Sequence, residues 1–402
     1  MHYAPETTGN APYTTGLAEG LRERGHQVHV LTGLPHYPEW KVAPGYTGRR
    51  RYDEGDDSLS IARLRHHVPS QPRAWGRIRM ETSFGSHLLT ARWPSVDAVV
   101  CVSPALLSTA MAVARVRAGR RRPPVGVWVQ DLYSRGVVET AVVTGRAAKL
   151  ALRFEGRVLK SADGVAVIHD RFKSYVVGDL GVPTDAVTVI RNWTHLQPFE
   201  LPDRAAARRR LGWADDDIVV LHAGNMGVKQ GLENVVEAAR LVRDDGPRIR
   251  FVLLGDGNQR ARIAELGRGV AALDFVDPLP GAEFQAALGA ADVLLVNEQP
   301  GVGEMAVPSK ITSYFTSGNP VLAATDLGSI TAQEITTSGG GLVVPAGDPA
   351  ALLDAAARLG RDQALARELG AAGRRFCAET LSRDHAIDQY DRWISGLVKG
   401  AK

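Results

Sequence analysis

Short apolar runs separated by helix-length amphipathic stretches recur along the whole of the 402-residue chain. A first series occupies residues 28–31, 98–102, 125–129, 164–168 and 187–190; a second occupies 218–221, 250–254, 273–276, 293–296, 321–324 and 341–344. Runs of four to six residues rich in Val, Ile and Leu, each followed by a helical pattern, build parallel sheets covered by helices on both faces. The chain is too long for one ordinary core and suits two α/β domains. Asn192-Trp193 and the proline-bearing stretch 198–202 separate the two series. The expected division is therefore 1–198, 199–382 and a closing segment 383–402, whose helix over 383–398 either caps the second domain or crosses back to the first.

Composition narrows the classes of function. No apolar stretch approaches the ~18 residues a membrane span needs, and the amino end lacks the apolar core of a signal peptide. Cys101 and Cys377 are the only cysteines, without metal-ligand spacing, which points to a reducing, cytoplasmic setting. Residues 1–195 carry a net charge of +9 and residues 196–402 one of −5. Arg49-Arg50-Arg51, the 73–79 segment and Arg120-Arg121-Arg122 supply much of the first. Solvated surface explains such runs, as does an anionic partner. The segment 73–79, leading through Trp75 to Phe84, Leu88, Leu89 and Trp93, has the composition of a helix at a membrane surface. Nucleic acid is not expected, because no recognition motif accompanies the charge.

Ligands of open α/β sheets bind beyond the carboxyl ends of strands. The run 218–221 opens into His222-Ala223-Gly224-Asn225-Met226-Gly227-Val228-Lys229-Gln230-Gly231, a glycine-rich turn before a helix. Such a turn offers backbone N–H groups and the positive helix end to a phosphate, with Lys229 adding charge. It matches neither G-x-G-x-x-G nor a P-loop, and tight packing alone would also explain it. Thr7-Thr8-Gly9-Asn10-Ala11-Pro12 is a second turn before a helix. Asp131 stands at the end of the 125–129 run, placed to accept a proton or to cap the next segment. Glu304 could bind hydroxyl groups, and Ser309 and Lys310 sit at a helix start suited to an anion. Asp215-Asp216-Asp217 precedes its strand, on the side away from the ligand, and reads as a solvated turn. His66-His67 and His26/His29 lack partners at metal spacing and read as surface or satisfied histidines. The pattern fits a metal-free transferase of activated phosphate compounds, with no cofactor, better than a hydrolase.

Taken together, these motifs resemble glycosyltransferase family 4. The similar segments are Tyr3-Ala4-Pro5-Glu6 through Pro12, Leu31-Thr32-Gly33-Leu34-Pro35-His36-Tyr37-Pro38, Gln130-Asp131-Leu132, Asn192-Trp193, Gly224-Asn225-Met226-Gly227 and Pro308-Ser309-Lys310. They match a branch that includes colanic acid and fucosamine O-antigen transferases. The resemblance implies a GT-B fold of two Rossmann-like domains facing across a cleft, and sugar transfer from a nucleotide donor with retention. It assigns Gly9 and Asn10 to the donor phosphates, Gly224, Asn225, Gly227 and Lys229 to the diphosphate, and Leu279 to the nucleobase. Glu304, Ser309 and Lys310 would meet the donor sugar and phosphate, with Asp131, Lys229 and Glu304 carrying the chemistry. His36, Tyr37 and Asp131 would face the acceptor, a glycan, a polyprenyl-diphosphate-linked sugar or a small metabolite, with an anionic membrane surface nearby. The donor implied is a UDP-sugar, such as a UDP-N-acetylhexosamine. A sugar-nucleotide epimerase of similar architecture, or a non-catalytic nucleotide-sugar-binding module, are the alternatives.

The chain departs from the family pattern in three ways. Of two glutamates spaced by seven residues in many relatives, the second aligns with Ser313 and the first falls near Glu304. Lys229 is the one clear basic residue of the glycine turn, and Gln130-Asp131 stands where many relatives have histidine. The family's apolar first strand normally precedes Tyr-x-Pro-Glu, whereas here only Met1-His2 does, so about ten further residues are expected upstream.

Overall fold

The structure is a computed structural model that describes residues 1–7, 9–70, 74–134, 146–194, 203–301 and 309–400. The chain divides into two compact units, 1–193 with 383–402, and 194–382. The first contains α1 (Ala11–Glu23), β1 (Val28–Gly33), β2 (Arg51–Gly55), β3 (Leu59–Leu64), α2 (Ala74–Thr90), β4 (Val99–Ser103), α3 (Leu106–Ala118), β5 (Val125–Val129), α4 (Arg146–Lys160), β6 (Gly164–Val167), α5 (Asp170–Gly178) and β7 (Val187–Val189). Its strands form two sheets, ordered β1-β3-β2 and β4-β5-β6-β7. All pairs are parallel except β2 with β3. Every residue of β5 and β6 is buried, as parallel strands covered on both faces must be.

The β2–β3 hairpin has no counterpart among the predicted strands. Arg51-Tyr52-Asp53-Glu54-Gly55 is a polar edge strand with no apolar periodicity to reveal it. Its turn is built by Asp56, whose carboxylate accepts from the backbone N–H of Ser58 and Leu59. The buried Arg63 then clamps the hairpin by bonding both oxygens of Glu54.

The second unit contains α6 (Arg204–Leu211), β8 (Ile218–Ala223), α7 (Glu233–Arg240), β9 (Ile249–Leu254), α8 (Arg260–Leu266), β10 (Leu273–Val276), α9 (Gly281–Ala290), β11 (Val293–Asn297), α10 (Ser309–Ser317), β12 (Val321–Ala324), α11 (Ile330–Ser338), β13 (Gly341–Val344), α12 (Pro349–Arg361) and α13 (Gln363–Thr380). One parallel sheet has the order β10-β9-β8-β11-β12-β13. Strand order runs outward in opposite directions from β8 and from β11, so the crevice of this doubly wound sheet lies beyond their carboxyl ends. Two apolar clusters, one on each face, enclose the sheet.

Asp217 is not in a solvated turn. Only 4% exposed, it accepts from the Arg248 guanidinium at 3.1 Å and from the Ala214 N–H, fastening the entry to β8. An arginine arriving from the neighbouring β9 side of the sheet makes burial of this carboxylate tolerable.

The last helix, α14 (Arg383–Gly400), belongs to the first unit. Its Tyr390 ring lies 4.8 Å from Trp128, which stacks at 6.3 Å on Trp193. Gly126 in β5 makes room for it, since a Cβ there would come within 2.4 Å of the Trp393 ring. Asp388 pairs with Arg24, and Arg383 with Glu23 of α1.

Candidate active site

In the second unit the glycine turn sits at the crevice between β8 and β11. Gly224 has φ +129°, Gly231 φ +51°, and Gly255 of the neighbouring turn φ +130°. These are conformations that L side chains rarely adopt. A Cβ on Gly255 would fall 2.1 Å from the Gly224 carbonyl, so the two turns lie backbone against backbone. The Gly224 N–H donates to Leu254 O and the Met226 N–H to Asp256 O, locking the turn to the end of β9. Residues 228–230 form a short 3-10 turn that carries the exposed Lys229. The Gln230 side chain accepts from the Gly227 N–H at 2.9 Å. Behind it, the buried Asn297 at the end of β11 donates to both Gln230 O and Gly231 O and accepts from Asn234 of α7. The turn is thus held in shape by backbone and side-chain bonds to β9, Gln230 and Asn297.

Lys310, in the first turn of α10, joins this turn. Its Nζ is 2.9 Å from Nε2 of the fully buried His222, and its Cε lies beside the place a Gly224 Cβ would occupy. Burial pulls its ammonium down to about 7, with Glu298 pulling back the other way. Burial and the neighbouring Lys310 both depress His222, so its imidazole is neutral. Glu298, one residue past β11, accepts from the hydroxyls of Thr325 and Thr331. Tyr314 of α10 pins the end of β8, its hydroxyl accepting from Ala223 N–H and donating to Ala223 O. Leu279 packs, half-buried, against the apolar cluster beneath. Glu304 and the side chain of Ser309 lie outside the described residues.

The first unit presents its own group of predicted residues. Gly9 has φ +63° and is exposed at the entry to α1, and Asn10 is that helix's N-terminal flanking residue, its side chain making no cap bond. Tyr37 lies beside Gly9, whose added Cβ would be 3.5 Å from the ring. Asp131 is exposed one residue beyond Gln130, at the end of β5. His36 is buried; its Nδ1 donates to Leu34 O, and its Nε2 has no partner. Burial lowers its pKa, so a neutral ring stands where an exposed acceptor contact was expected. Tyr37, half-buried, is the more accessible of the two.

Sequence reasoning missed the groups that hold these residues. Glu6 is 8% exposed and accepts from the backbone N–H of both His36 and Tyr37, while its other oxygen meets His2 at 2.7 Å. Burial pushes the Glu6 carboxyl up, but these bonds outweigh it and its pKa is lowered. His2, Glu6 and His36 bring three ligand-type atoms within 4.8 Å of one another, a cluster invisible in the spacing of the sequence. Glu155 of α4 accepts from Tyr133 N–H and Ser134 N–H, holding the segment after Asp131. Gln130 and Asn192 exchange paired amide bonds. His66 is buried with its Nε2 unpartnered, so it is not a satisfied histidine. Phe84 and Leu88 of α2 are core residues, whereas Trp75 is 81% exposed. A glutamate ahead of a Pro-His-Tyr loop was the one available signal for Glu6; nothing marked Glu155.

Comparison with known proteins identifies the family and the fold. Residues 8–193 match the model of a glycosyl transferase 4-like domain, and residues 217–362 that of glycosyl transferases group 1. The chain is 30% identical to the putative colanic acid biosynthesis glycosyl transferase WcaI of Escherichia coli K12, over 82% of this chain and 84% of the relative. Among solved structures, sucrose-phosphate synthase from Thermosynechococcus elongatus superposes with a TM-score of 0.72 at 21% identity, covering 98% and 94% of the two chains. Anabaena HepE in complex with UDP and glucose gives 0.68 at 15%, covering 98% and 97%.

Proposed function

The chain belongs to glycosyltransferase family 4, with the GT-B fold, and we propose that it moves a sugar from a UDP-sugar, with retention and without a metal ion, to a glycan or lipid-linked acceptor. The observation that carries this reading is the convergence of the Gly224–Gly227 backbone, Lys229 and Lys310 at the crevice of the second unit. The departing diphosphate gathers charge as the sugar carbon becomes oxocarbenium-like. Lys229 and Lys310 meet that charge at a turn whose shape is already fixed by its own hydrogen bonds. The complex of HepE with UDP and glucose supports the donor class, and the colanic acid role in WcaI's name supports a glycan acceptor.

Retention places the acceptor on the face of the sugar that the diphosphate leaves. The leaving phosphate oxygen then takes the acceptor proton, and Asp131 orients the hydroxyl. Ser313 stands in α10 where many relatives have a carboxylate. Lysine contacts therefore carry more of the donor's binding here. A lipid-linked acceptor is favoured by α4, where Lys149, Arg153, Arg157 and Lys160 form an exposed basic stripe beside Leu150, which is 63% exposed. No helix among the described residues is long and apolar enough to cross a membrane.

Lys229→Ala tests the reading: it removes transfer from UDP-sugars and their thermal stabilisation of the protein, while circular dichroism stays that of the parent. A ligand at 100 times its Kd stabilises by about 2.7 kcal/mol, so the shift is measurable. Unchanged turnover in the variant would remove the turn from the donor site. Free epimer produced without any acceptor would assign the chain to the epimerases instead.

A further inference from the structure

The loop after β1 leaves the carboxyl end of that strand, the side of an α/β sheet on which ligands bind. Within it Trp40 has φ +54° and is, among the described residues, the only non-glycine residue with a positive φ. A bulky side chain in the left-handed region is a genuine outlier, because its Cβ crowds the following carbonyl. Two bonds impose the turn: Lys41 N–H donates to His36 O at 3.2 Å and Ala43 N–H to Pro35 O at 2.8 Å, so the chain doubles back near residue 40. Glycine would hold the same turn without strain. The indole therefore serves something beyond the turn.

Its ring is set among others. Tyr37 meets it edge-on, with centroids 5.8 Å apart at 87°, and His36 lies 5.9 Å away at 64°. Both neighbours are anchored, since Glu6 accepts from their backbone N–H groups. Trp40 is half-buried, and the guanidinium carbon of Arg77, in the first turn of α2, lies over its ring at 5.9 Å. The usual i, i+4 partner of Arg77 would be Glu81. Glu81 is buried instead, and its carboxylate accepts from Leu107 N–H at 2.9 Å. Arg77 is exposed and makes no ion pair among the described residues. An exposed cation–π pair contributes little to stability. Stacking does, however, hold a guanidinium in a fixed plane with its donor fork unpaired, the form that matches the paired oxygens of a carboxylate or phosphate.

We propose that Arg77, steadied by Trp40, binds an anionic group on the acceptor and makes this chain select an acidic sugar over a neutral one. The inference rests on the transferase reading above, with the acceptor on the first unit. The group is a carboxylate, as on a uronic acid, or a phosphate, as on a sugar phosphate. Arg77 and Trp40 set acceptor choice without touching the bonds that break, so their loss raises acceptor KM and leaves kcat and donor affinity in place.

The test titrates methyl glucuronide, glucose 1-phosphate and neutral methyl glucoside into the full chain, with and without saturating UDP, by ligand-observed NMR. At least one anionic sugar is expected to bind about tenfold or more tighter than the glucoside, the margin of a hydrogen bond to a charged group. Preference for the glucuronide assigns a uronic acid; preference for the phosphate, persisting under saturating UDP, assigns a sugar phosphate. Arg77→Ala removes the margin, and Arg77→Lys, which keeps the charge without the fork, restores only part of it. The Kd of UDP is the same in both variants and the parent. Trp40→Gly, which relieves the strained φ, also removes most of the margin, and cooperative melting checks that it folds; Arg77 is exposed, so its variants keep the test open if Trp40→Gly does not fold. Equal affinity of the parent for all three sugars overturns the proposal. So does a margin that survives in Arg77→Ala, or in a folded Trp40→Gly, which would leave the indole a packing role alone. A parent that binds an acidic sugar and not UDP counts against the donor reading and not against Arg77.

Discussion

On the proposed reading, Lys310 is expected to make donor binding a proton-uptake reaction. Its ammonium, brought from 10.5 to about 7 by burial, is half-neutral near pH 7. The cost of charging it in the empty site is of the order of 5 kcal/mol at about 1.4 kcal/mol per unit. A diphosphate charge about 4 Å away, at an effective dielectric of about 20, returns about 4 kcal/mol. That is enough to restore most of the ordinary ammonium pKa. Binding of a UDP-sugar, whose phosphodiester groups do not titrate in this range, is then expected to take up about 0.1 proton at pH 6, about 0.5 at pH 7 and about 0.9 at pH 8. Affinity falls with pH above 7, approaching tenfold per unit. Isothermal titration calorimetry in buffers of different ionisation enthalpy reads the uptake directly. In Lys310→Met the uptake disappears and affinity becomes independent of pH. The variant also tests stability. Because the folded pKa lies below the unfolded one, the unfolded parent chain binds more protons between pH 7 and 10.5, so parent stability rises with pH across that window. The variant loses this rise. Uptake below about 0.1 proton at both pH 7 and pH 8 in the parent, or equal uptake in the variant, would refute the reasoning.

Three other substitutions test what holds the site. Glu6→Ala leaves the His36 and Tyr37 N–H groups unpaired and is expected to destabilise the protein by about 2–5 kcal/mol in urea unfolding. The native Glu6 carboxyl has a lowered pKa, so its contribution is present above the usual glutamate pKa and is lost as pH falls through the folded value; the parent-minus-variant difference should shrink there. Asn297→Ala removes the bonds under residues 230–231 and is expected to weaken UDP-sugar binding at least tenfold at a stability cost of about 1–3 kcal/mol; undiminished affinity would show that the turn keeps its shape unaided. Glu155→Ala frees the segment after Asp131, lowering kcat while donor Kd stays put; a changed donor Kd would contradict the assignment of that segment to the acceptor.

Every predicted strand run is present as a strand, because parallel strands buried on both faces cannot avoid continuous apolar sequence. The polar β2 escaped for the converse reason: an edge strand needs no apolar face. Gly224, Gly227 and Lys229 could be singled out because a turn with such backbone angles admits few residue types. The partnership of Lys310 with His222 could not, since 88 positions separate them and the contact exists only once β8 and α10 meet. Glu6 and Glu155 were hidden similarly, as carboxylates serving distant backbone N–H groups carry no spacing signature. Phe84 and Leu88 misled because a helix of mixed basic and apolar residues reads alike whether its apolar side meets lipid or a second helix.

The return of α14 to the first unit has a consequence for synthesis. Tyr390 and Trp393 complete the aromatic cluster around Trp128 and Trp193, yet they are made after the entire second unit. At 5–20 residues per second, the roughly 190 residues between Trp193 and Arg383 take about 10–40 s to translate. Throughout that interval the first unit lacks the two aromatic residues that pack on Trp128 and Trp193, whereas the second unit has its whole sequence once Ser382 is made. The order of completion is therefore the reverse of the order of synthesis, and a chain truncated before Arg383 is expected to leave the Trp128–Trp193 cluster without Tyr390 and Trp393.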